Sequence, residues 1–231
     1  MSVWLRLLVF AWCLFPSEAL ARVTRYAILV GNNRGAKDEA ELKYAETEAS
    51  KLHEVLRDVG SFAAINTVVL RGESPETFEA TLLTFNERIR ASVQSGDETM
   101  LFVYFSGHAD AEALHMNGGQ FPIQKLEQLV RGSSATLRLL TIDACRSGSI
   151  TRRKGGKQVA PFALRVDDRL AGQGVVFLTS AAANEDAQES DALGGSFFTH
   201  ALTSGLLGAA DANGDGLVVL DEAYRYAYES T

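Results

Sequence analysis

Five short, almost uninterrupted apolar runs, at residues 26–30, 67–70, 100–105, 137–142 and 175–179, limit what this chain can fold into. Runs of this length are strand-sized, and their lack of apolar–polar alternation implies strands covered on both faces. Between the first two, Leu42, Ala45, Ala49, Leu52, Leu56 and Val59 recur at steps of three and four. Between the second and third, Phe78, Leu82, Phe85, Ile89 and Val93 do the same, with Pro75 just ahead as a start signal. Each set is the buried stripe of a helix, and residues 123–130 read as a shorter one. Strand–helix alternation predicts an α/β fold, a three-layer sandwich whose mostly parallel sheet carries helices on both faces.

With 231 residues, 46% of them hydrophobic, the chain suits one globular core. Its net charge of −7 opposes a nucleic-acid partner and an anionic membrane surface. Residues 1–21 read as a secretory signal peptide. Arg6 gives a charged start, the apolar stretch 7–15 is too short to span a bilayer, and Ala19-Leu20-Ala21 supplies a small-x-small cleavage site. The expected location is secreted or periplasmic, with no membrane attachment after cleavage. Export would remove Cys13 and leave Cys145 alone, an unusual state for a protein in an oxidising compartment.

Active sites of open parallel sheets gather beyond the carboxyl ends of the strands. The third run leads into Ser106-Gly107-His108-Ala109-Asp110 and the fourth into Asp143-Ala144-Cys145-Arg146-Ser147-Gly148. If those strands are neighbours, an imidazole and a thiol face each other. That pair can generate a thiolate and later protonate a leaving amine. A C-x5-R phosphatase is excluded, because Thr151 stands where its arginine belongs. His53 reads as a surface residue, His115 as a loop residue beyond the motif, and His200 as part of a late helix. None has partners at metal-ligand spacing.

Tyr104-Phe105-Ser106-Gly107-His108 resembles the YSGH histidine motif of metacaspases and bacterial caspase-like peptidases. The segment 143–148 resembles their D-x-C-x-S-G cysteine motif, and Gly194-Gly195-Ser196-Phe197-Phe198-Thr199 with Ala201-Leu202 their downstream G-x-F-T-x-x-L segment. Gly31-Asn32 after the first strand also matches. The resemblance implies a caspase–haemoglobinase-like fold over residues 22–207 and peptide-bond hydrolysis through a thioester. His108 and Cys145 would be catalytic, and the N–H groups of Ala109 and Cys145 would form the oxyanion hole. The family usually has glycine where Ala109 stands. By position, Asp143 and Glu48 would serve the S1 pocket. Carboxylates there favour a protein or peptide substrate with Arg or Lys at P1. The alternatives are a solvated helix charge for Glu48 and a structural hydrogen bond for Asp143. No organic cofactor is implied.

Residues 147–160, with Gly148, Gly155 and Gly156 around Arg152-Arg153-Lys154, read as an exposed loop, either one that a basic-specific enzyme cuts in itself or an uncut, solvated one. Within 208–231, Asp211-Ala212-Asn213-Gly214-Asp215-Gly216 followed by Glu222 fits the EF-hand pattern D-x-[DN]-x-[DN]-G-x5-E. Ca2+ ligands would be Asp211, Asn213, Asp215, the Leu217 carbonyl and Glu222, between helices at 197–207 and 223–228. Two other readings compete: an inactive caspase-like domain that binds peptides or partners, and a scaffold that merely presents the calcium loop.

Overall fold

The structure, a computed structural model, describes residues 23–144, 165–166, 174–180 and 189–230. The expected signal peptide, Cys145 and the 147–160 loop lie outside the described residues.

The expected alternation is present. Strand β1 (Val23–Gly31) leads to α1 (Ala45–Asp58), β2 (Thr67–Arg71), α2 (Pro75–Gln94) and β3 (Glu98–Ala109). A hairpin of β4 (Ala113–Met116) and β5 (Gly119–Pro122) precedes α3 (Ile123–Arg131) and β6 (Leu137–Ala144). After β7 (Arg165–Val166) and β8 (Gly174–Thr179), a small hairpin of β9 (Glu189–Ser190) and β10 (Gly195–Ser196) enters α4 (Phe197–Ser204). A π-helical turn, Gly205–Ala209, and the helix α5 (Leu220–Ser230) follow. The main sheet runs β2-β1-β3-β6-β8-β7, parallel except for β7.

Alternate residues of the same strands feed two separate cores. Ile28, Val30, Val103, Phe105 and Ile142 meet Phe78, Leu82, Phe85 and Ile89 of α2 and Leu126 and Val130 of α3. Leu29, Phe102, Tyr104 and Leu178 meet Ala49, Leu52 and Leu56 of α1 and Phe198 and Leu202 of α4. This double burial is why the runs carry no alternation. Ser74 starts α2 by accepting the Thr77 N–H at 3.3 Å, with Pro75 behind it.

Three expectations need correction at their edges. Leu42 precedes α1 rather than lying on it, Val59 is exposed just past its end, and Val93 is exposed in the last turn of α2. The late helix stops being α-helical at Ser204, and Leu207 is exposed on the π-turn. His115 sits on a buried strand, not in a loop.

Gly31 lets α1 start directly on the end of β1. A Cβ there would press into the Ala45 carbonyl and lie 2.5 Å from Glu46 Cα, both backbone atoms. Gly31→Ala is therefore expected to destabilise the fold by about 1–3 kcal/mol, read as a fall in melting temperature. Gly174→Ala, whose Cβ would make an ordinary 3.6 Å contact with Leu137, should change it far less.

Candidate active site

The strand ends place the site. Gly31 pairs with Ser106, Ser106 with Asp143 and Gly107 with Ala144, so β1, β3 and β6 terminate side by side. Asn32 locks the edge. Its N–H donates to Ser106 O at 2.9 Å, its Nδ2 to Glu73 O at 2.9 Å, and its Oδ1 accepts the Asn117 N–H at 3.1 Å. Gly107 is required beside it. Its φ is +157°, and a Cβ would lie 2.8 Å from the Phe105 ring and 3.0 Å from Asn32 O.

His108 is half-buried at the end of β3, where Gly35 of the 32–44 connection packs closely against its side chain. A Cβ on Gly35 would stand 2.7 Å from His108 Cδ2. The His108 Nε2 is 2.7 Å from the Ala40 carbonyl. A carbonyl only accepts, so Nε2 carries the hydrogen, and Nδ1 is the nitrogen left with a lone pair. Beyond His108, β3 turns into an antiparallel ladder with β4, pairing His108 with His115 and Ala109 with Leu114. The Asp110 N–H donates to Ala113 O at 3.0 Å. The alternation of such ladders then makes Ala109–Leu114 a pair whose N–H groups point away from each other.

The carboxylates expected in the pocket are brought together. Glu48 and Asp143 are each 3% exposed, so Glu48 is no solvated helix charge. Ser106 Oγ donates to Glu48 Oε2 at 2.5 Å, and the Ser196 N–H donates to Glu48 Oε1 in a short contact. Ser196 Oγ donates to Asp143 Oδ2, and Thr199 Oγ1 reaches the same oxygen at 2.7 Å. Tyr104 OH completes the chain, 2.5 Å from Thr199 Oγ1. Asp143 Oδ1 has no partner among the described residues. The β9–β10 hairpin that supplies Ser196 is moored to α1. Lys43 and Tyr44 reach Asp191 at 3.1 and 2.7 Å, and Lys51 reaches Gly194 O at 3.0 Å.

Ser106, Ser196, Thr199 and Tyr104 stood within the sequence motifs without an assigned role. Their hydroxyls had a signal only once the two carboxylates were known to be buried. The Ala40 carbonyl had none, because any backbone carbonyl looks alike in sequence.

Burial and the Asp143 charge push the Glu48 carboxyl up to about 7, against a partial counterweight from Ser106 and Ser196. Burial likewise raises Asp143, and it holds the Tyr104 phenol well above its ordinary value. Two carboxylates this close cannot both ionise cheaply, so they retain a proton near neutral pH. No Lys or Arg pairs with either of them among the described residues.

The acidic loop expected to bind Ca2+ is closed by its own side chains. Asp211 Oδ1 accepts from the Gly214 N–H at 2.8 Å and Oδ2 from Gly216 at 2.9 Å. Asn213 Oδ1 accepts from Asp215 at 2.8 Å, and Asp215 Oδ1 from Leu217 at 2.8 Å. Gly214 and Gly216 take φ of +73° and +81°. Glu222 is buried on the first turn of α5, its Oε2 accepting the Val219 N–H at 3.1 Å. Among the described residues, no three His, Cys, Asp or Glu side chains form a ready metal cluster. The all-oxygen set, which adds the Asn213 amide and the Leu217 carbonyl, fits a hard cation such as Ca2+.

The raised Glu48 carboxyl has a measurable consequence. The folded state keeps a proton that the unfolded chain releases near 4.5, so this contribution is complete below that pH and lost as pH rises through about 7. The wild-type melting temperature should carry a component that falls across this window. In Glu48→Gln, whose amide cannot ionise, that component should vanish. An identical pH profile for the two proteins would refute the assignment.

No curated protein sequence matches the chain. Among solved structures, the crystal structure of caspase-1 from Spodoptera frugiperda is similar, at 15% sequence identity and a TM-score of 0.62, covering 90% of this chain and 76% of that one. At that identity the likeness speaks for the fold, a mostly parallel α/β sandwich of the caspase kind. The family model described as "Caspase domain" matches residues 24–223, nearly the whole described structure. The chain belongs to the caspase domain family, whose fold is that of cysteine peptidases.

Proposed function

We propose that the protein is an exported cysteine endopeptidase that hydrolyses peptide bonds after Arg or Lys through His108 and Cys145. The observation that carries this reading is the half-buried His108 two residues beyond Ser106, whose backbone pairs with Asp143 and whose hydroxyl donates to Glu48. Among the described residues, that carboxylate pair has no cationic partner. His108 Nδ1 takes the thiol proton of Cys145, and the thiolate attacks the substrate carbonyl carbon. The oxyanion accepts hydrogen bonds from the N–H groups of Cys145 and Ala109. His108 then protonates the departing amine as the C–N bond breaks, leaving a thioester. Water, losing its proton to His108, hydrolyses the thioester and restores the thiol.

A P1 guanidinium or ammonium would supply the charge the pocket lacks. It favours ionised Glu48 and Asp143, so binding displaces the retained proton. An Asp at P1 would add a third carboxylate to two that already repel each other.

The test is a panel of peptide amides varied at P1. Wild type should cleave after Arg or Lys and leave Asp untouched. Cys145→Ala and His108→Ala should each lose about a thousandfold or more of kcat. A folded, thiol-reactive wild type that cleaves nothing would favour a peptide-binding domain instead.

Ca2+ belongs to the same proposal, bound by Asp211, Asn213, Asp215, the Leu217 carbonyl and Glu222. When bound, it neutralises the charge of the loop. Val218 and Val219 of that loop, with Leu220 and Tyr224 of α5, roof an apolar cavity of about 170 Å3 against the sheet. This layer is loosely filled, so fixing the loop should stabilise it by mass action. Millimolar Ca2+ should raise the melting temperature of wild type but barely that of Glu222→Gln, and Mg2+ should substitute poorly. Unchanged wild-type melting in Ca2+ would remove the metal from the account.

A further inference from the structure

His115 is 7% exposed and stands directly across the β3–β4 ladder from His108. Its Nδ1 lies 2.6 Å from Glu39 Oε1 and its Nε2 3.3 Å from Asp110 Oδ2. Both ring nitrogens thus face carboxylate oxygens, which an imidazolium satisfies with two N–H donors. Each carboxylate uses its other oxygen to hold backbone. Glu39 Oε2 accepts the Ala36 N–H at 2.6 Å, and Asp110 Oδ1 accepts from Glu112 and Ala113 at 2.7 and 2.8 Å. Burial would raise the Glu39 carboxyl. The Ala36 N–H, His115 and the nearby His108 outweigh it and hold the group below its ordinary value.

The two loops tied together in this way flank the catalytic histidine. Glu39 immediately precedes Ala40, whose carbonyl fixes the His108 tautomer, and Asp110 immediately follows Ala109. The segment 32–44 contains no helix or strand. Its shape rests on single hydrogen bonds, such as Leu42 N–H to Asn33 O at 2.8 Å and Gly118 N–H to Gly35 O at 2.9 Å. The Glu39–His115 contact is what ties the stretch next to Ala40 to the strand beside His108.

We propose that His115 is a positioning residue for the hydrolysis, bridging Glu39 and Asp110 so that the Ala40 carbonyl stays on His108 Nε2 and Nδ1 keeps its lone pair for proton transfer. The proposal rests on the reading of His108 and Cys145 as the catalytic pair. His115 touches neither substrate nor thiol, and its effect passes through the backbone at Ala40 and Ala109. A misplacement of the imidazole by an ångström lowers the rate of bond making without weakening substrate binding.

The experiment compares the full chain as wild type, His115→Gln, Glu39→Gln and the double variant. It measures kcat and KM on a peptide amide with Arg at P1, the alkylation rate of Cys145 by iodoacetamide, and melting. Each single variant should lose roughly ten- to a hundredfold in kcat with KM little changed, and alkylation should slow in parallel. The double variant should be no worse than the poorer single, since both remove one strut. A folded His115→Gln with wild-type kcat overturns the proposal, as do single losses that multiply in the double. If His115→Gln does not fold, Glu39→Gln, whose side chain is partly exposed, decides in its place: wild-type kcat there overturns the proposal. A wild type that neither cleaves nor alkylates faster than His108→Ala would sink the catalytic pair itself, and this inference with it.

Discussion

Burial on both faces of one parallel sheet governs the rest of this molecule. Strands β1, β3, β6 and β8 send alternate side chains into two apolar cores, so their faces leave no room for a solvated polar group. Their backbone amides are consumed by neighbouring strands through an unbroken register. Chemistry is thereby confined to the strand ends. Because the strands are parallel, β1, β3 and β6 end on the same edge and bring residues far apart in sequence into one place. Glu48 joins them because Gly31 lets α1 begin against the sheet edge, with no side chain between.

That edge carries an electrostatic cost the fold tolerates rather than removes. Burying two carboxylates with no cation beside them among the described residues is unfavourable, and three hydroxyls with one N–H offset it only in part. The residual strain appears as a retained proton on Glu48 and as an unpartnered Asp143 oxygen. On the reading proposed above, a basic side chain of the substrate would supply the missing charge, and the repulsion relieved on binding would count toward selectivity.

Much of this was legible in the sequence, for a physical reason. Elements whose pattern comes from burial, such as β1 with α1 or β3 with α2, announce themselves through periodicity. The placement of His108 and Asp143 at neighbouring strand ends was legible because each directly follows an apolar run. The β4–β5 hairpin was missed: it is four residues a side, and its turn at Asn117-Gly118 sits between strands too short to show a period. His115 was misplaced with it. Leu42 and Val59 extended the helical stripe past its ends because an apolar residue just off a helix keeps the same spacing as one on it. The hydroxyl network stayed silent, since Ser and Thr acquire a role only from the carboxylates they meet.

The two halves of the site are stabilised by opposite devices, and the difference follows from what each must do. The carboxylate side is held by hydroxyls, by one backbone N–H and by the moored β9–β10 hairpin. On the histidine side, Glu39 and Asp110 each turn one oxygen to His115 and the other to backbone N–H groups. His108 is left to the neutral Ala40 carbonyl, which fixes its tautomer from a loop that the same contacts hold in place.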